Sequence, residues 1–287
     1  MTTDDFRFVA DLLRQRSGLA LGPDKSYLVD SRLGPIARRH DLVDIGGLVK
    51  RLRERPDGPL VDEVVDAMTT NESFFFRDGR PFEQFAQVML PALLQARRNA
   101  KRIAIWCAAA ATGQEPYSLA MCLEDRARDL QGWQVQILAT DISRTALGRA
   151  REGRYTQFEV QRGLPVKRLL QSFDQHGDQW VIKPHLKRWI RFQQMNLLDL
   201  RPNFASFDII FCRNVLIYFD VATKRRLLEL MAGLLPPDGY FLLGGTETML
   251  GLSQRFEALP EHRGVHRPAV AAVPRPASAV PAVAASA

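Results

Sequence analysis

Apolar residues recur every three or four positions over the first 70 residues, which is the spacing of amphipathic helices. Glycine and proline interrupt these stretches at Gly18, Gly22-Pro23 and Gly46-Gly47. The pattern predicts an all-helical domain over residues 1–70, with the apolar faces of its helices forming the core. The first and last of these faces comprise Phe6, Val9, Leu12 and Leu13, and Leu60, Val64, Val65 and Met68.

From residue 99 the pattern changes to short apolar runs rich in β-favouring residues, separated by stretches with helical spacing. Such alternation is typical of a mostly parallel sheet covered by helices. We predict a Rossmann-like α/β domain over residues 99–267, closed by an antiparallel strand near 264–267. Predicted strands begin at Ile103 and cover 135–140, 191–198 and 240–243. Residues 207–219 are predicted to form a buried strand that runs into a turn, and predicted helices cover 81–98 and 221–235.

Residues 155–190 interrupt this alternation. They contain a Gly163-Leu164-Pro165 turn, a short helix-like run, a His176-Gly177-Asp178 turn and the strand-like Trp180-Val181-Ile182. We predict that they form an inserted subdomain with a helix and a few antiparallel strands. Residues 268–287 contain only Ala, Pro, Val, Ser and Arg275. This composition predicts a disordered tail.

The first α/β unit contains a candidate ligand-binding turn. The run from Ile103 passes through alanines 108–111 and Thr112-Gly113 into a stretch with helical spacing. Small residues at such a turn let the backbone approach a ligand closely, but the dinucleotide fingerprint G-x-G-x-x-G is absent. The turn therefore favours a cofactor without phosphates. A buried strand and helix without any ligand is the alternative.

Polar residues follow two of the later predicted strands. Asp141 ends the second strand, where a carboxylate can accept hydrogen bonds from ribose hydroxyls, although an Asp in this place can also cap a helix. Asn214 and Tyr218 lie just past the strand that begins at Phe207, at the edge where open α/β sheets bind ligands. The proline turn of enzymes that methylate a flipped base is absent here, which argues against a nucleic-acid substrate.

The segment between the two predicted domains reads T-T-N-E-S-F-F-F-R-D over residues 69–78. Three consecutive phenylalanine side chains would gain no stabilisation if they were exposed to water, so we expect this segment to be buried. One interpretation is a hinge packed between the domains. The other places Asn71, Ser73 and Arg77 in a cleft, where a guanidinium can hold a carboxylate.

Composition narrows the possible compartments and partners. Cys107, Cys122 and Cys212 lie far apart without metal-binding spacing, so we expect no metal site, no disulfides and a reducing environment. No signal-peptide pattern or membrane-spanning run is present, which predicts a cytoplasmic protein without membrane insertion. The net charge of +7 permits a nucleic-acid, membrane-surface or acidic-protein partner and does not choose among them. Residues 144–201 hold twelve Lys or Arg against five Asp or Glu, either as a contact surface or as solvated charge.

Several motifs together resemble those of the bacterial chemotaxis receptor methyltransferases, the CheR family. They occur in that family's order and the likeness covers about residues 4–267. The motifs are T-T-N-E-S-F-F-F-R-D, W-C-A-A-A-A-T-G-Q-E-P-Y-S-L-A-M, A-T-D-I-S, N-L-L-D and F-D-I-I-F-C-R-N-V-L-I-Y-F-D. The sequence departs from the family at Ala108 to Ala111, at Gln114 and at Gly245-Thr246-Glu247.

The resemblance implies a class I S-adenosylmethionine-dependent methyltransferase domain behind an all-helical N-terminal domain. It also implies methyl transfer from S-adenosylmethionine to glutamate side chains of methyl-accepting chemotaxis proteins, leaving S-adenosylhomocysteine. Arg77 and Tyr218 are implied to lie beside the reacting methyl group. The residues implied to line the cofactor are Asn71, Ser73, Arg77, Glu115, Asp141, Asn196, Leu197, Asn214 and Val215.

Three further expectations complete the sequence analysis. In some relatives the inserted subdomain grips a peptide at the receptor's C-terminus, but the His176-Gly177-Asp178 turn is short, and we expect no such tether here. We expect a monomer that does not bind nucleic acid. The alternatives are a methyltransferase acting on another acid or on nucleic acid, and a non-catalytic S-adenosylmethionine-binding signalling module.

Overall fold

The computed structural model of the chain describes residues 1–269. Its N-terminal part is all-helical, with one apolar core. Thr2 and Asp5 form a capping box that satisfies backbone donors at the start of the first helix, and Gly18 ends this helix in the left-handed conformation. The helices are α1 (Thr3–Ser17), α2 (Ser26–Arg39), α3 (Ile45–Glu54) and α4 (Pro59–Met68).

The connecting helix predicted over residues 81–98 is present but interrupted. It consists of α5 (Arg80–Gln84), a π-helical turn (Phe85–Met89) and α6 (Leu90–Ala96). Pro91 explains the interruption, because its ring has no amide donor and collides with the carbonyl four residues earlier in a regular helix. The Leu90 N–H therefore bonds to the Phe85 carbonyl, five residues back.

The α/β part follows, and the inserted subdomain interrupts its alternation of strands and helices after α8. Its strands and helices, in chain order, are β1 (Arg102–Ala108), α7 (Gln114–Glu124), β2 (Gln134–Asp141), α8 (Arg144–Glu152), β3 (Arg154–Thr156), α9 (Gln157–Gln161), α10 (Val166–Ser172), β4 (Phe173–His176), β5 (Gln179–Ile182), α11 (Pro184–Lys187), β6 (Ile190–Gln194), β7 (Ile209–Cys212), α12 (Val221–Ala232), β8 (Tyr240–Leu243), β9 (Phe256–Ala258) and β10 (Val265–Pro268).

Within residues 1–269, seven strands form a mixed sheet in the order β6-β2-β1-β7-β8-β10-β9. The first five are parallel, and β10 is antiparallel to both β8 and β9. The chain runs outward from β1 to β2 and β6, and then returns to the other side of β1 as β7. The carboxyl ends of β1 and β7 therefore flank a topological switch point, where sheets of this class bind ligands.

The sheet separates two apolar cores. One core joins the α5–α6 segment, α7 and the subdomain to the first face of the sheet, and the other joins α12 to the opposite face. In β1, Ile103, Ile105 and Cys107 belong to the first core, whereas Trp106 and Ala108 belong to the second. This is the α/β architecture that the sequence predicted.

Some boundaries differ from the prediction. The strand predicted over 191–198 is the shorter β6, because the chain turns where polar residues begin. Within 207–219 the strand is β7, and the predicted turn follows it. The Asn196 side chain accepts a hydrogen bond from the Leu198 amide and starts a 3-10 turn at Leu197–Asp199, and Asn214 has a φ of +57°.

The edge strand β9 was not predicted. Pro268 still belongs to β10, and the rest of the predicted tail lies outside the described residues, apart from Ala269.

The inserted subdomain contains a three-stranded antiparallel sheet in the order β3-β5-β4. Phe75, in the middle of the phenylalanine tract, packs edge-on against Tyr155 and Phe173 of this subdomain. Gly163 passes so close to the tract that a Cβ there would lie 1.9 Å from the Phe75 carbonyl oxygen. Phe75 is therefore fully buried, as predicted for the tract, whereas Phe74 and Phe76 are partly buried. Phe75 also belongs to the core that joins the subdomain to the main sheet.

Candidate functional site

A cleft opens at the carboxyl ends of the parallel strands. It consists of two adjoining hollows that share Asp141 and Val215 in their walls. The structure brings every residue of the predicted site to this cleft. The first hollow is lined by Asn71, Ser73, Arg77, Glu115, Asp141, Asn214, Val215 and Tyr218, and the second by Asp141, Asn196, Leu197 and Val215.

The turn after β1 forms the floor of the cleft. Ala109 and Ala111 both line it, and both have positive φ, at +69° and +49°. A left-handed conformation costs a residue with a Cβ roughly 1–2 kcal/mol, so surrounding contacts must hold the turn. One of these is the bond from the Ala110 amide to the Thr140 carbonyl, at 2.8 Å. The turn thus presents small side chains and a fixed backbone to the cleft.

Asp141 fastens this turn to the end of β2. Its Oδ2 accepts the Ala111 amide at 2.8 Å and its Oδ1 accepts the Ser143 amide at 2.9 Å. Burial raises the pKa of Asp141, and the two amide donors oppose that shift. The interpretation of Asp141 as a helix cap is wrong, because Ser143 is the N-cap of α8. A carboxylate has about four acceptor sites, so Asp141 keeps capacity for a ligand.

Glu115 lies in the first turn of α7 and belongs to a buried ion-pair cluster. The Arg213 side chain, 1% exposed, donates to Glu115 Oε2 at 2.8 Å, to Asp78 Oδ2 at 2.6 Å and to the Arg77 carbonyl at 2.9 Å. Burial raises the pKa of Glu115, and the guanidinium beside it opposes the shift. Arg213 therefore joins β7, α7 and the 77–78 segment at one point.

Sequence reasoning missed Arg213, although a signal was present. An arginine that directly follows the buried run of β7 cannot remain unpaired, since an isolated buried charge is very costly. A carboxylate partner could have been predicted from this position, and the structure contains two, Glu115 and Asp78.

Arg77 and Tyr218 are far apart in the sequence, but both line the first hollow in the structure. Arg77 is half-buried, donates to the Glu72 carbonyl at 2.9 Å and lies 5.6 Å from the Phe74 ring centroid. The Tyr218 carbonyl accepts the Ala20 amide at 2.8 Å. Backbone contacts thus anchor both residues, while their side chains border the cleft.

Comparison with known proteins places this geometry in a family. Residues 71–265 match the domain described as "CheR methyltransferase, SAM binding domain", and residues 4–69 match "CheR methyltransferase, all-alpha domain". The chain belongs to the CheR methyltransferase family. It is therefore an S-adenosylmethionine-dependent methyltransferase with the all-helical and α/β parts that the sequence predicted.

Several curated relatives cover nearly the whole chain. "Chemotaxis protein methyltransferase 1" of Pseudomonas aeruginosa is 39% identical over 265 residues, which is 91% of this chain and 96% of the relative. "Chemotaxis protein methyltransferase Cher2" of Pseudomonas putida is 37% identical over the same shares. "Chemotaxis protein methyltransferase" of Escherichia coli is 33% identical, over 88% of this chain and 86% of the relative.

A glutamate shapes the loop that carries Asn214 and Tyr218 in this CheR cleft. Glu247 Oε2 accepts the amides of Asn214 and Gly244, both at 2.7 Å, and Oε1 accepts those of Val215 at 3.0 Å and Ile217 at 3.3 Å. Four backbone donors converge on one carboxylate, which fixes the loop's path. Sequence reasoning noted Glu247 only as part of a divergent motif and assigned it no role.

The helical domain of this CheR methyltransferase completes the cleft. Ser17 and Leu19, which follow α1, line the first hollow, and Ser17 also lines the second. Asn196 donates from Nδ2 to the Arg16 carbonyl at 2.7 Å. At Gly18, with a φ of +77°, a Cβ would lie 2.7 Å from the Phe219 ring. Sequence reasoning missed this wall, because contacts across some 180 residues leave no local pattern.

Residues 1–269 contain neither a cluster of metal-binding side chains nor a helix that could span a membrane. In that part of the chain, no group of three or more His, Cys, Asp or Glu side chains is arranged to hold a metal ion. No helix there is both long and apolar enough to span a bilayer.

Proposed function

We propose that this protein transfers a methyl group from S-adenosylmethionine to glutamate side-chain carboxylates of methyl-accepting chemotaxis proteins, forming glutamate methyl esters. The observation that carries the proposal is the single cleft that gathers the ten residues of the predicted site. The names of the relatives, all chemotaxis protein methyltransferases, support the same substrate class.

The residues of the cleft fit S-adenosylmethionine. Asp141 has acceptor capacity for the ribose hydroxyls, and Glu115 is a carboxylate suited to an ammonium group, 12% exposed beside Arg213. The adenine would lie against Asn196 and Leu197 in the second hollow. The small alanines of the turn after β1 leave room for a ligand that carries no phosphate. When bound, the cofactor supplies an electrophilic methyl group on a sulfonium.

The chain's own task in this reaction is alignment. A free glutamate has a pKa near 4.3 and is ionised at neutral pH, so the nucleophile needs no general base. Holding two reactants in register is worth roughly 7–11 kcal/mol of the barrier. We assign this role to Arg77 and Tyr218, whose guanidinium and phenol can both donate to a carboxylate at the border of the cleft.

Arg77 must orient the glutamate without neutralising it. Its Nη1 already donates to the Glu72 carbonyl, and its guanidinium faces the Phe74 ring, which together limit its freedom. The strong cationic partner of Glu115 and Asp78 is Arg213 instead. This division leaves Arg77 to position the substrate while Arg213 holds the site together.

We further infer a cytoplasmic protein that acts as a monomer on the cytoplasmic domains of chemoreceptors. The charge of +7 is suited to an acidic protein partner. The cleft contains no proline turn of the kind used on flipped bases, so nucleic acid is not expected as substrate.

The decisive experiment incubates the full-length protein with S-adenosylmethionine labelled in its methyl group and with receptor cytoplasmic fragments. Carboxyl methyl esters hydrolyse in base, so the expected result is label in the receptor that is released as methanol. Label that is stable in base would show that the product is not a carboxyl methyl ester. Label in RNA or DNA offered in parallel would show that the protein methylates nucleic acid. Calorimetric binding of the cofactor without transfer to any receptor fragment would indicate a non-catalytic sensor.

A further inference from the structure

Within residues 1–269, one face of the main sheet has no helix packed on it where the sheet consists of β6, β2 and β1. Parallel strands are normally covered by helices on both faces. Within residues 195–208, which connect β6 to β7, the structure contains only a 3-10 turn and no α-helix. The β2 side chains accordingly alternate, with Gln134 and Gln136 exposed and Val135 and Ile137 buried. The sheet therefore lacks a helical layer at this place.

The uncovered face is a groove, here called the open-face groove, with a volume of about 1130 Å³. Its floor includes Ala104 and Leu138, and Phe204 and Phe207 border it on the side of β7. Three adjacent strands span about 10 Å. An α-helix with its side chains is about 10–12 Å across. The groove thus has the width of the helix that this face lacks.

The charged side chains that line the groove are all positive. Four arginines and no Asp or Glu line it within the described residues. Arg188 pairs with Glu124 at 3.0 Å. Arg102, Arg128 and Arg191 are exposed and form no ion pair with any carboxylate of residues 1–269. An occupant therefore has to bring negative charge to the rim and apolar side chains to the floor.

These features favour a protein helix over a nucleic acid. Binding of single strands depends on open aromatic faces on which bases stack. Trp133 and Trp189 instead pack into the first core, and Arg188 covers the Trp189 ring at 4.7 Å. The chain's own C-terminal tail does not fit either, because residues 270–287 contain one arginine and no acidic residue.

We propose that the open-face groove docks an amphipathic helix of a partner protein, with Asp or Glu residues flanking its apolar stripe. The groove lies over the first halves of β1 and β2, at the edge of the sheet opposite the cleft. The docked helix takes the place of the missing helical layer. Binding there leaves access to the cleft unchanged and gives the protein an anchoring surface separate from its substrate site.

The test uses a fluorescein-labelled synthetic peptide of five helical turns, with leucines at i, i+3, i+4 and i+7 and glutamates on both flanks. A scrambled peptide of the same composition and a version with lysine for glutamate serve as comparison probes. A single-stranded RNA oligomer tests the nucleic-acid alternative. Fluorescence anisotropy with the full-length protein measures binding, and a change in tryptophan emission, to which Trp133 and Trp189 of the groove contribute, gives a second readout.

The variant Arg102→Glu/Arg191→Glu reverses the charge of the groove. A matched variant, Arg55→Glu/Arg263→Glu, changes the net charge equally at exposed arginines outside the groove. We expect binding of the acidic amphipathic peptide to weaken by about tenfold or more in the first variant and to change by less than about twofold in the second. Retained S-adenosylhomocysteine binding shows that both variants fold.

Three results would overturn the proposal. They are equal binding of the scrambled or lysine peptide, equal loss in both charge-reversal variants, and binding of the RNA oligomer in place of the peptide. Because the readout is binding to the groove and not methyl transfer, a negative result leaves the proposed function standing, and failure of methylation leaves this proposal standing.

Discussion

At the scale of single residues, buried charge determines the arrangement of the cleft. Arg213 is almost fully buried and touches Glu115 and Asp78, while Asp141 is buried against backbone amides. Charged groups tolerate such burial only with partners, and those partners fix their positions. The cleft is thus preorganised by its charges.

Replacement of Arg77 by alanine tests the alignment role. We expect turnover to fall by more than about tenfold, because the substrate carboxylate loses an oriented donor. Cofactor affinity should change less than turnover. Receptor methylation is measured alongside Arg80→Ala, which removes an exposed arginine three residues away. Normal turnover in Arg77→Ala would remove Arg77 from the mechanism.

The raised pKa of Asp141 leads us to predict that cofactor binding depends on pH. Burial raises its pKa above the ordinary 3.8, so it begins to protonate at a higher pH than an exposed aspartate. A protonated carboxyl accepts hydrogen bonds poorly, and affinity for S-adenosylhomocysteine should therefore fall as the pH is lowered. Calorimetry at a series of pH values from about 4 upward to neutrality measures this, because the raised pKa lies above the ordinary value. Asp141→Asn should bind weakly throughout and show a smaller pH effect, and an unchanged profile would contradict the assignment.

At the scale of elements, the contacts between strand ends and loops shape the site. The loop after β7 is held by Glu247, which follows β8, and the turn after β1 is held by Asp141 at the end of β2. In each case a carboxylate from one element binds the backbone of the next. Neither loop has a conformation that its own sequence would impose.

Glu247→Gln should disturb the loop after β7. An amide side chain brings an N–H₂ group against backbone donors, and a hydrogen bond to a charged group is worth roughly 1.5–3 kcal/mol. We expect turnover to fall by about tenfold with the fold retained. Glu257→Gln, at an exposed position in β9, is the control. Wild-type kinetics in Glu247→Gln would show that Tyr218 is positioned by other contacts.

A second carboxylate cluster fastens the connecting helix to the sheet. Arg97, just after α6, donates to Asp208 at 2.9 Å and to both oxygens of Asp238 at 2.7 Å. Asp208 also accepts the Ala104 amide at 2.8 Å. Arg97→Ala leaves Asp208 nearly buried without its cation and should destabilise the protein by roughly 1–3 kcal/mol, seen as a lower Tm.

The same cluster predicts how that loss depends on pH. The Arg97 guanidinium lowers the pKa of Asp238 below its ordinary 3.8. A lowered carboxyl pKa stabilises the fold fully above the unfolded value and loses its effect as the pH falls through the folded value. The Tm gap between wild type and Arg97→Ala should thus persist at neutral pH and close only below about pH 4. Arg98→Ala, at an exposed neighbour, should show no gap.

At the scale of the whole molecule, the cleft depends on both parts of the chain. Ser17 and Leu19 from the helical domain complete a wall whose other side comes from the α/β domain. The inserted subdomain lies beyond the phenylalanine tract, and its β4–β5 hairpin has a two-residue turn, Gly177-Asp178. The cleft is therefore not built by the α/β domain alone.

The short hairpin leads to a prediction about receptors. A C-terminal receptor peptide gripped by the subdomain would raise the local substrate concentration, and its removal would slow methylation strongly. We expect no tether here, so fragments with and without their C-terminal segment should be methylated at rates within about twofold. Comparison of initial rates at low receptor concentration makes this test sensitive. A large loss on truncation would show that the hairpin does grip a peptide.

Local patterns in the sequence determined the order of the elements. Helical spacing predicted the N-terminal helices, and the alternation of apolar runs predicted the parallel sheet and the closing strand β10, since side-chain periodicity depends on local geometry alone. The π-helical turn at Phe85–Met89 had its signal in Pro91. The edge strand β9 had none that separated it from a loop, because its stability comes from pairing with β10.

The motifs also predicted one cleft for all ten residues. Those that follow strands meet there because the carboxyl ends of parallel strands share an edge of the sheet, whereas Asn71, Ser73 and Arg77 reach it on the segment before α5. Only the tertiary structure decided what holds them there. The pairing of Arg213 with Glu115, the four amides on Glu247 and the wall supplied by Ser17 all join residues far apart in the chain. Such contacts depend on packing in three dimensions, which no local spacing records.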